Sequence, residues 1–193
     1  MIIVEGTDLV GKTDVCHRLL KDKRLSGHIY AHLDRPGDGF HDYWGYIDRM
    51  SPNVIQDRFH MSAVAYDYAR NKDECHIAPE TYRVIDARLR LLGGFTIVIT
   101  ADESLITDRF KIHKDRELYE LPVILQANDW FRDAGSDDKG LAWSYSPDVD
   151  AHFRCTVKHP FASDYWLFDM VTIYLQRRAR LLALSRQDYR WHL

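Results

Sequence analysis

Apolar residues along this chain fall into short unbroken runs and longer runs with helical spacing, and the two kinds alternate. Residues 2–5 open as a strand, and Val15, Cys16, Leu19 and Leu20 then fall on one face of a helix. A second short run, 28–33, ends in Asp34-Arg35-Pro36-Gly37, a turn signal that leaves an arginine at a strand's carboxyl edge. Residues 39–50 carry Phe40, Tyr43, Trp44, Tyr46, Ile47 and Met50 on an expected short helix, either a packed core group or a wall on which a base could stack. After Pro52 a third strand, 53–56, runs into Asp57-Arg58.

Helices are expected next over 59–70, with Met61, Val64, Ala65 and Tyr68 on one face, and over 79–92, with Tyr82, Ile85, Leu89 and Leu92 inward and Gly93-Gly94 closing it. The run 95–100 is apolar and β-branched without interruption, the mark of a strand covered on both faces in a parallel sheet. The pattern then predicts a helix over 102–112, a charged stretch to 120, a helix over 122–132 and a loop over 133–147. A strand over 153–157 and a final helix capped by Ser163 or Asp164 complete the chain, with Leu167, Met170, Val171, Tyr174 and Leu175 at helical spacing. Strands alternating with helices predict a three-layer α/β/α domain around a central parallel sheet of about five strands.

At 193 residues the chain suits a single domain. Its formal net charge of −3 argues against a general nucleic-acid binder, which shows a basic excess. Cys16, Cys75 and Cys155 are far apart and lack metal-ligand spacing, as expected for reduced thiols of a cytoplasmic protein. No apolar run approaches the roughly 20 residues of a membrane span, and the start lacks the basic-then-apolar form of a signal peptide. A soluble protein without a membrane partner is therefore expected.

The candidate chemistry begins where the first strand ends. Gly6-Thr7-Asp8-Leu9-Val10-Gly11-Lys12-Thr13 fits the phosphate-loop pattern G-x-x-x-x-G-K-[ST], with a strand before it and a helix after it as the motif requires. Glycine at positions 6 and 11 lets backbone amides turn toward phosphate oxygens, and the helix that follows adds its positive end. Gly6, Asp8, Val10, Gly11, Lys12 and Thr13 are thus the expected phosphate-binding set, with Lys12 reaching the outer phosphates of ATP and the Thr13 hydroxyl as one ligand of Mg²⁺.

Three local stretches resemble the thymidylate kinases among the phosphate-loop nucleoside and nucleotide kinases. They are residues 6–13, with an acidic residue third after the glycine turn begins; Leu33-Asp34-Arg35-Pro36-Gly37, similar to Thr-Arg-Glu-Pro-Gly; and Asp57 to Tyr66, similar to Asp-Arg-Tyr-x-x-Ser-x-x-Ala-Tyr with Arg70 following. The resemblance covers roughly residues 1–112 in motif order, and it implies a possible homodimer. It also implies that Arg35 holds an acceptor phosphate, that Asp8 lies near the acceptor sugar, and that Asp57 and Arg58 place the Mg²⁺ shell and the acceptor against the γ-phosphate. Trp44, Tyr66, Asp67 and Arg70 complete the expected acceptor side. Leu9 stands where some members carry a cation inside the loop, so a lid over about 109–120 is expected to supply the charge, with Arg116 first, Arg109 second, and Lys111 and Lys114 also available.

The leading expectation is an ATP- and Mg²⁺-dependent kinase acting on a pyrimidine deoxynucleoside monophosphate. Asp67, standing where the resemblance has an amide, favours a base that presents donors, such as cytosine. The alternative is a kinase for a hydroxyl of a nucleoside or of a modified, hydroxymethylated base in DNA, for which the tail arginines Arg177, Arg178, Arg180, Arg186 and Arg190 offer a local basic surface. A nucleotide-dependent switch is a third reading, set back by the absence of an Asn-Lys-x-Asp string.

Overall fold

The computed structural model describes residues 1–33, 43–70, 77–134, 151–155 and 165–188. Its longest strand is the run whose sequence is least interrupted, Phe95–Ala101 (β4), and all seven residues are buried. It pairs in parallel with Ile2–Glu5 (β1), which pairs in parallel with Val54–Asp57 (β3), and Ile29–His32 (β2) lies outside β3. These four strands make the body of the sheet. A fifth, Ala151–Cys155 (β5), pairs with the other edge of β4 and completes the order β2-β3-β1-β4-β5. It starts two residues before the expected 153–157 run, a shift the weak alternation of that stretch does not resist.

Parallel neighbours need crossovers, and the helices supply them on both faces. They are Lys12–Leu20 (α1), Tyr43–Arg49 (α2), His60–Ala69 (α3), Pro79–Leu91 (α4), Glu103–His113 (α5), Leu121–Ala134 (α6) and Tyr165–Asp188 (α7). Because side chains alternate along a strand, the sheet feeds two separate cores. On one face Ile3, Val54 and Val98 join Tyr46 of α2, Val64 of α3, Ile85 of α4 and Phe131 of α6. On the other, Ile2, Val4, Ile55 and Ile97 join Val15 of α1, Ile106 of α5 and Val171 of α7.

Two inward positions read from periodicity turn out otherwise. Tyr68 is 54% exposed, since α3 buries Ala65, Tyr66 and Ala69 around it, and Leu92 is 43% exposed, since it lies one residue past the end of α4. The aromatic group on α2 divides: Tyr46 is buried edge-on against Phe59, with ring centroids 5.0 Å apart, while Trp44 is 65% exposed. Among the described residues no helix is long and apolar enough to cross a membrane.

The strand order places the functional end. From β1 the chain crosses to β2 on one side, and from β3 it crosses to β4 on the other, so the two neighbouring strands send their connections apart. In an open parallel sheet such a divergence leaves a crevice at the carboxyl ends of the two strands. Here those ends carry Gly6-Thr7-Asp8 and Asp57-Arg58.

Candidate phosphate-binding cleft

The loop after β1 is bent by three residues in left-handed conformations. Gly6 has φ 143 and Gly11 φ 95, and a Cβ on Gly6 would come within 2.2 Å of the Ile99 carbonyl oxygen, so only glycine fits there. Leu9, at φ 67, takes the same region despite its side chain. Ordinary and left-handed residues in succession turn backbone amides toward a common point, the form of an anion-binding nest. Gly11 then leads directly into α1, whose first turn carries Lys12 and Thr13.

Lys12 is 5% exposed, and its Nζ donates to the Thr7 carbonyl oxygen and lies 4.0 Å from Asp8 Oδ1. Burial lowers its pKa, opposed by the nearby Asp57 and Glu5 carboxylates. The loop is thus wrapped around a dehydrated cation whose donors are met by backbone and acid.

Asp57 ends β3 on the α1 side of the sheet. It is fully buried, and its Oδ2 accepts from Thr13 Oγ1 at 2.6 Å and from the Tyr30 hydroxyl at 3.1 Å, with His32 Nδ1 at 3.4 Å. Its Oδ1 has no hydrogen-bond partner among the described residues. Tyr30 and His32 reach Asp57 because β2 and β3 pair with His32 opposite Asp57. Burial first, and then the Asp57 charge, push the Tyr30 phenol up.

Arg58 follows at φ 64, and its guanidinium pairs with Asp8. Asp8 is held a second time by Tyr66, whose hydroxyl donates to Oδ2 at 2.6 Å and accepts from the Asp8 amide at 2.9 Å. Tyr66 is buried, which pushes its phenol up to about 12, and its ring stacks on Tyr119 with centroids 4.6 Å apart. Thr7 Oγ1 donates to the Ile124 carbonyl oxygen at 3.1 Å, so the loop is tied to α6 as well as to α3.

These groups surround a cleft of about 370 Å³ lined by Asp8, Gly11, Lys12, Thr13 and Arg58 together with Arg109. Arg109 lies within α5 and donates from Nη1 to the Leu9 carbonyl oxygen. Two histidines that no motif marked, His32 and His113, also line it. His32 could have been found from its place at a strand's carboxyl edge, whereas His113 is visible only once α5 lies over the loop.

The structure brings Gly6, Asp8, Gly11, Lys12, Thr13, Asp57, Arg58 and Tyr66 to one end of the sheet, and of the candidate lid cations it sets Arg109, the second choice, beside them. Val10 turns its side chain into the α1–α5–α7 core, leaving only its backbone to the loop. Arg116 sits on a short turn after α5, Lys114–Arg116, is exposed, and is not among the residues that line the cleft. The expected lid is in part rigid helix, since α5 runs to His113. Asp67 does not stand open toward a base: its carboxylate is fully buried and accepts from Arg70 Nη2 at 2.6 Å, which fixes Arg70 over the Tyr119 ring. Neither Asp67 nor Arg70 nor Trp44 lines the cleft. Arg35 lies outside the described residues, as do Arg186 with respect to its side chain and Arg190 altogether.

No family model matches this chain, and no curated protein sequence matches it. Among solved structures, the YorR protein of Bacillus subtilis, crystallised in complex with phosphorylated GDP, superimposes with a TM-score of 0.63 at 20% identity, covering 92% of this chain and 97% of that one. A likeness that spans nearly the whole of both chains at such low identity establishes a shared α/β fold.

Proposed function

We propose that this chain is an ATP- and Mg²⁺-dependent phosphotransferase acting on a nucleotide, first among them a pyrimidine deoxynucleoside monophosphate. The observation that supports the reading is that Arg58 lines the same cleft as Lys12 and Thr13, with the buried Asp57 carboxylate hydrogen-bonded to the Thr13 hydroxyl beside it. A binding module needs the loop alone, whereas group transfer needs charge on the far side of the outermost phosphate. The motif resemblance supports the same reading, and so does the nucleotide bound by the fold neighbour.

The residues present fit Mg²⁺. Thr13 and Asp57 offer hard oxygen donors, and the unpartnered, buried Oδ1 of Asp57 is an acceptor whose desolvation is otherwise unrelieved. These two residues would hold the ion, directly or through its waters, and when bound it would neutralise charge on the phosphate oxygens.

The chain's own groups do the rest. With the phosphates in the loop, Lys12 exchanges the Thr7 carbonyl and Asp8 for phosphate oxygens, and the positive end of α1 points at them. Arg58 and Arg109 then flank the transferring group from β3 and α5. An acceptor oxygen attacks the γ-phosphorus in line, the bond to the bridging oxygen breaks, and ADP leaves with its electron pair. A monophosphate acceptor is already an anion near neutral pH and needs no base.

One observation favours the second reading. The buried, unpartnered Oδ1 of Asp57 is an acceptor for a hydroxyl proton, as phosphorylation of a nucleoside or of a hydroxymethylated base in DNA would require. The test is incubation with labelled ATP and a panel of nucleosides, pyrimidine and guanine monophosphates, and modified DNAs. A labelled diphosphate is the expected product; label on a nucleoside or on DNA selects the second reading, and release of inorganic phosphate without any labelled acceptor sinks both.

A further inference from the structure

Arg58 reaches the cleft from a backbone position that a side-chain-bearing residue rarely takes. Its φ is 64, in the left-handed region, where Cβ crowds the following carbonyl oxygen. Positions of this kind persist only where the surroundings over-determine them. Here the constraint comes from β1. The Arg58 amide donates to the Val4 carbonyl oxygen at 3.0 Å, and the next residue of β1, Glu5, turns a fully buried carboxylate under the same turn.

Glu5 Oε1 accepts from the Phe59 amide at 2.8 Å and the Met61 amide at 3.1 Å, while Oε2 accepts from Ser62 Oγ at 2.5 Å. Phe59 precedes the first residue of α3 and makes no side-chain cap of its own. The first amides of a helix lack partners within it, so α3 is capped by an acid from a different strand. That acid also sits at the helix's positive end. On the far side of the turn His60 Nε2 lies 2.7 Å from Asp86 Oδ1, which ties the same segment to α4.

We propose that Glu5 is a positioning residue: by capping α3 from β1 it holds the Arg58 turn in its left-handed form and so keeps the guanidinium at the cleft. This rests on the reading of Arg58 as a participant in phosphoryl transfer. The last residue of β1 then serves two parts of the site at once, since the phosphate loop begins at the next residue, Gly6.

The test is a double-mutant cycle in the full chain between Glu5→Leu, which fills the space but accepts no hydrogen bond, and Arg58→Ala. Glu5→Gln is the conservative variant, because its carbonyl oxygen still serves both amides. Turnover is measured with labelled ATP and the acceptor found in the panel, and triphosphate affinity is measured separately by calorimetry. Glu5→Leu is expected to lower turnover about 30-fold with the triphosphate dissociation constant changed by less than about threefold, the pattern of a contact made in the transition state. Glu5→Gln should recover most of that loss. In the Arg58→Ala background Glu5→Leu should cost less than about threefold, because residues acting through one another are not additive.

Equal losses in both backgrounds, or triphosphate affinity falling in step with turnover, would overturn the proposal and leave Glu5 as a support of the loop. If Glu5→Leu does not fold, Glu5→Asp replaces it, with a carboxylate one methylene too short to reach the amides. Amide hydrogen exchange gives a readout that needs no turnover: Phe59 and Met61 should exchange at least about tenfold faster in Glu5→Leu and near the wild-type rate in Glu5→Gln. Unchanged exchange in Glu5→Leu also overturns the proposal. A wild-type protein that phosphorylates nothing would defeat the kinase reading, while exchange would still decide whether Glu5 holds the turn.

Discussion

Residues 6–13 and residues 109–120 both bring cations toward the cleft, and the two segments hold them in opposite ways. Lys12 is almost wholly buried, donates to the Thr7 carbonyl, and lies among Asp8, Asp57 and Glu5. Arg116 stands exposed on a single turn. Between them is Arg109, inside α5 and fixed to the Leu9 carbonyl oxygen. A buried cation must be met by acceptors and acids in a definite geometry, whereas an exposed one is solvated and can go anywhere its side chain reaches. On the proposed function, the charge beside the transferring group is then expected from Lys12 and Arg109 and not from every cation of 109–120.

That assignment can be broken, and the largest effect should come first. Lys12→Ala is expected to lower turnover by at least about 100-fold, as loss of a preorganised charge at a reacting group does, with triphosphate binding by calorimetry falling alongside. Its thermal midpoint should fall, because the buried Asp57 and Glu5 carboxylates lose the cation beside them. Asp57→Asn should raise the Mg²⁺ concentration needed for half-maximal turnover about 10- to 100-fold, read by metal titration after chelation. A Mg²⁺ requirement unchanged in that variant would remove Asp57 from the metal shell.

The smaller effects sharpen the contrast between the two arginines. Arg109→Ala is expected to slow turnover about tenfold, with triphosphate affinity changed little. Arg116→Ala should stay within about twofold of wild type, as surface substitutions do. If Arg116→Ala is the more damaging of the two, α5 is not the source of the charge, and the segment after it must fold over the cleft when nucleotide binds.

Some of this was legible from residue order alone and some was not. β4 announced itself because a strand covered on both faces has no charged position to interrupt its apolar and β-branched run, and α1 because Gly11 and Lys12 begin it wherever the loop motif occurs. Tyr68 was misplaced because α3 buries Ala65, Tyr66 and Ala69 instead, and Leu92 because the helix expected to 92 ends at Leu91. Asp67 was set against a base because the resemblance has an amide there, and residue order does not show that Arg70, one turn later, takes its carboxylate. The His32–Asp57 contact depends on a register between two strands separated by a helix, which no local pattern encodes.

Residue order by itself determined where the loop lies, since glycine at positions 6 and 11 permits the positive φ the turn takes, whereas the Ile99 carbonyl that excludes a Cβ at Gly6 is brought there by β4. Tertiary structure decided everything about what the loop faces. Which oxygen of Asp57 is left open, which arginine reaches Leu9, and which acid caps α3 all follow from β1 lying between β3 and β4. Backbone torsions are properties of a few adjacent residues, whereas a cleft is made by strands that meet only after the intervening helices have packed.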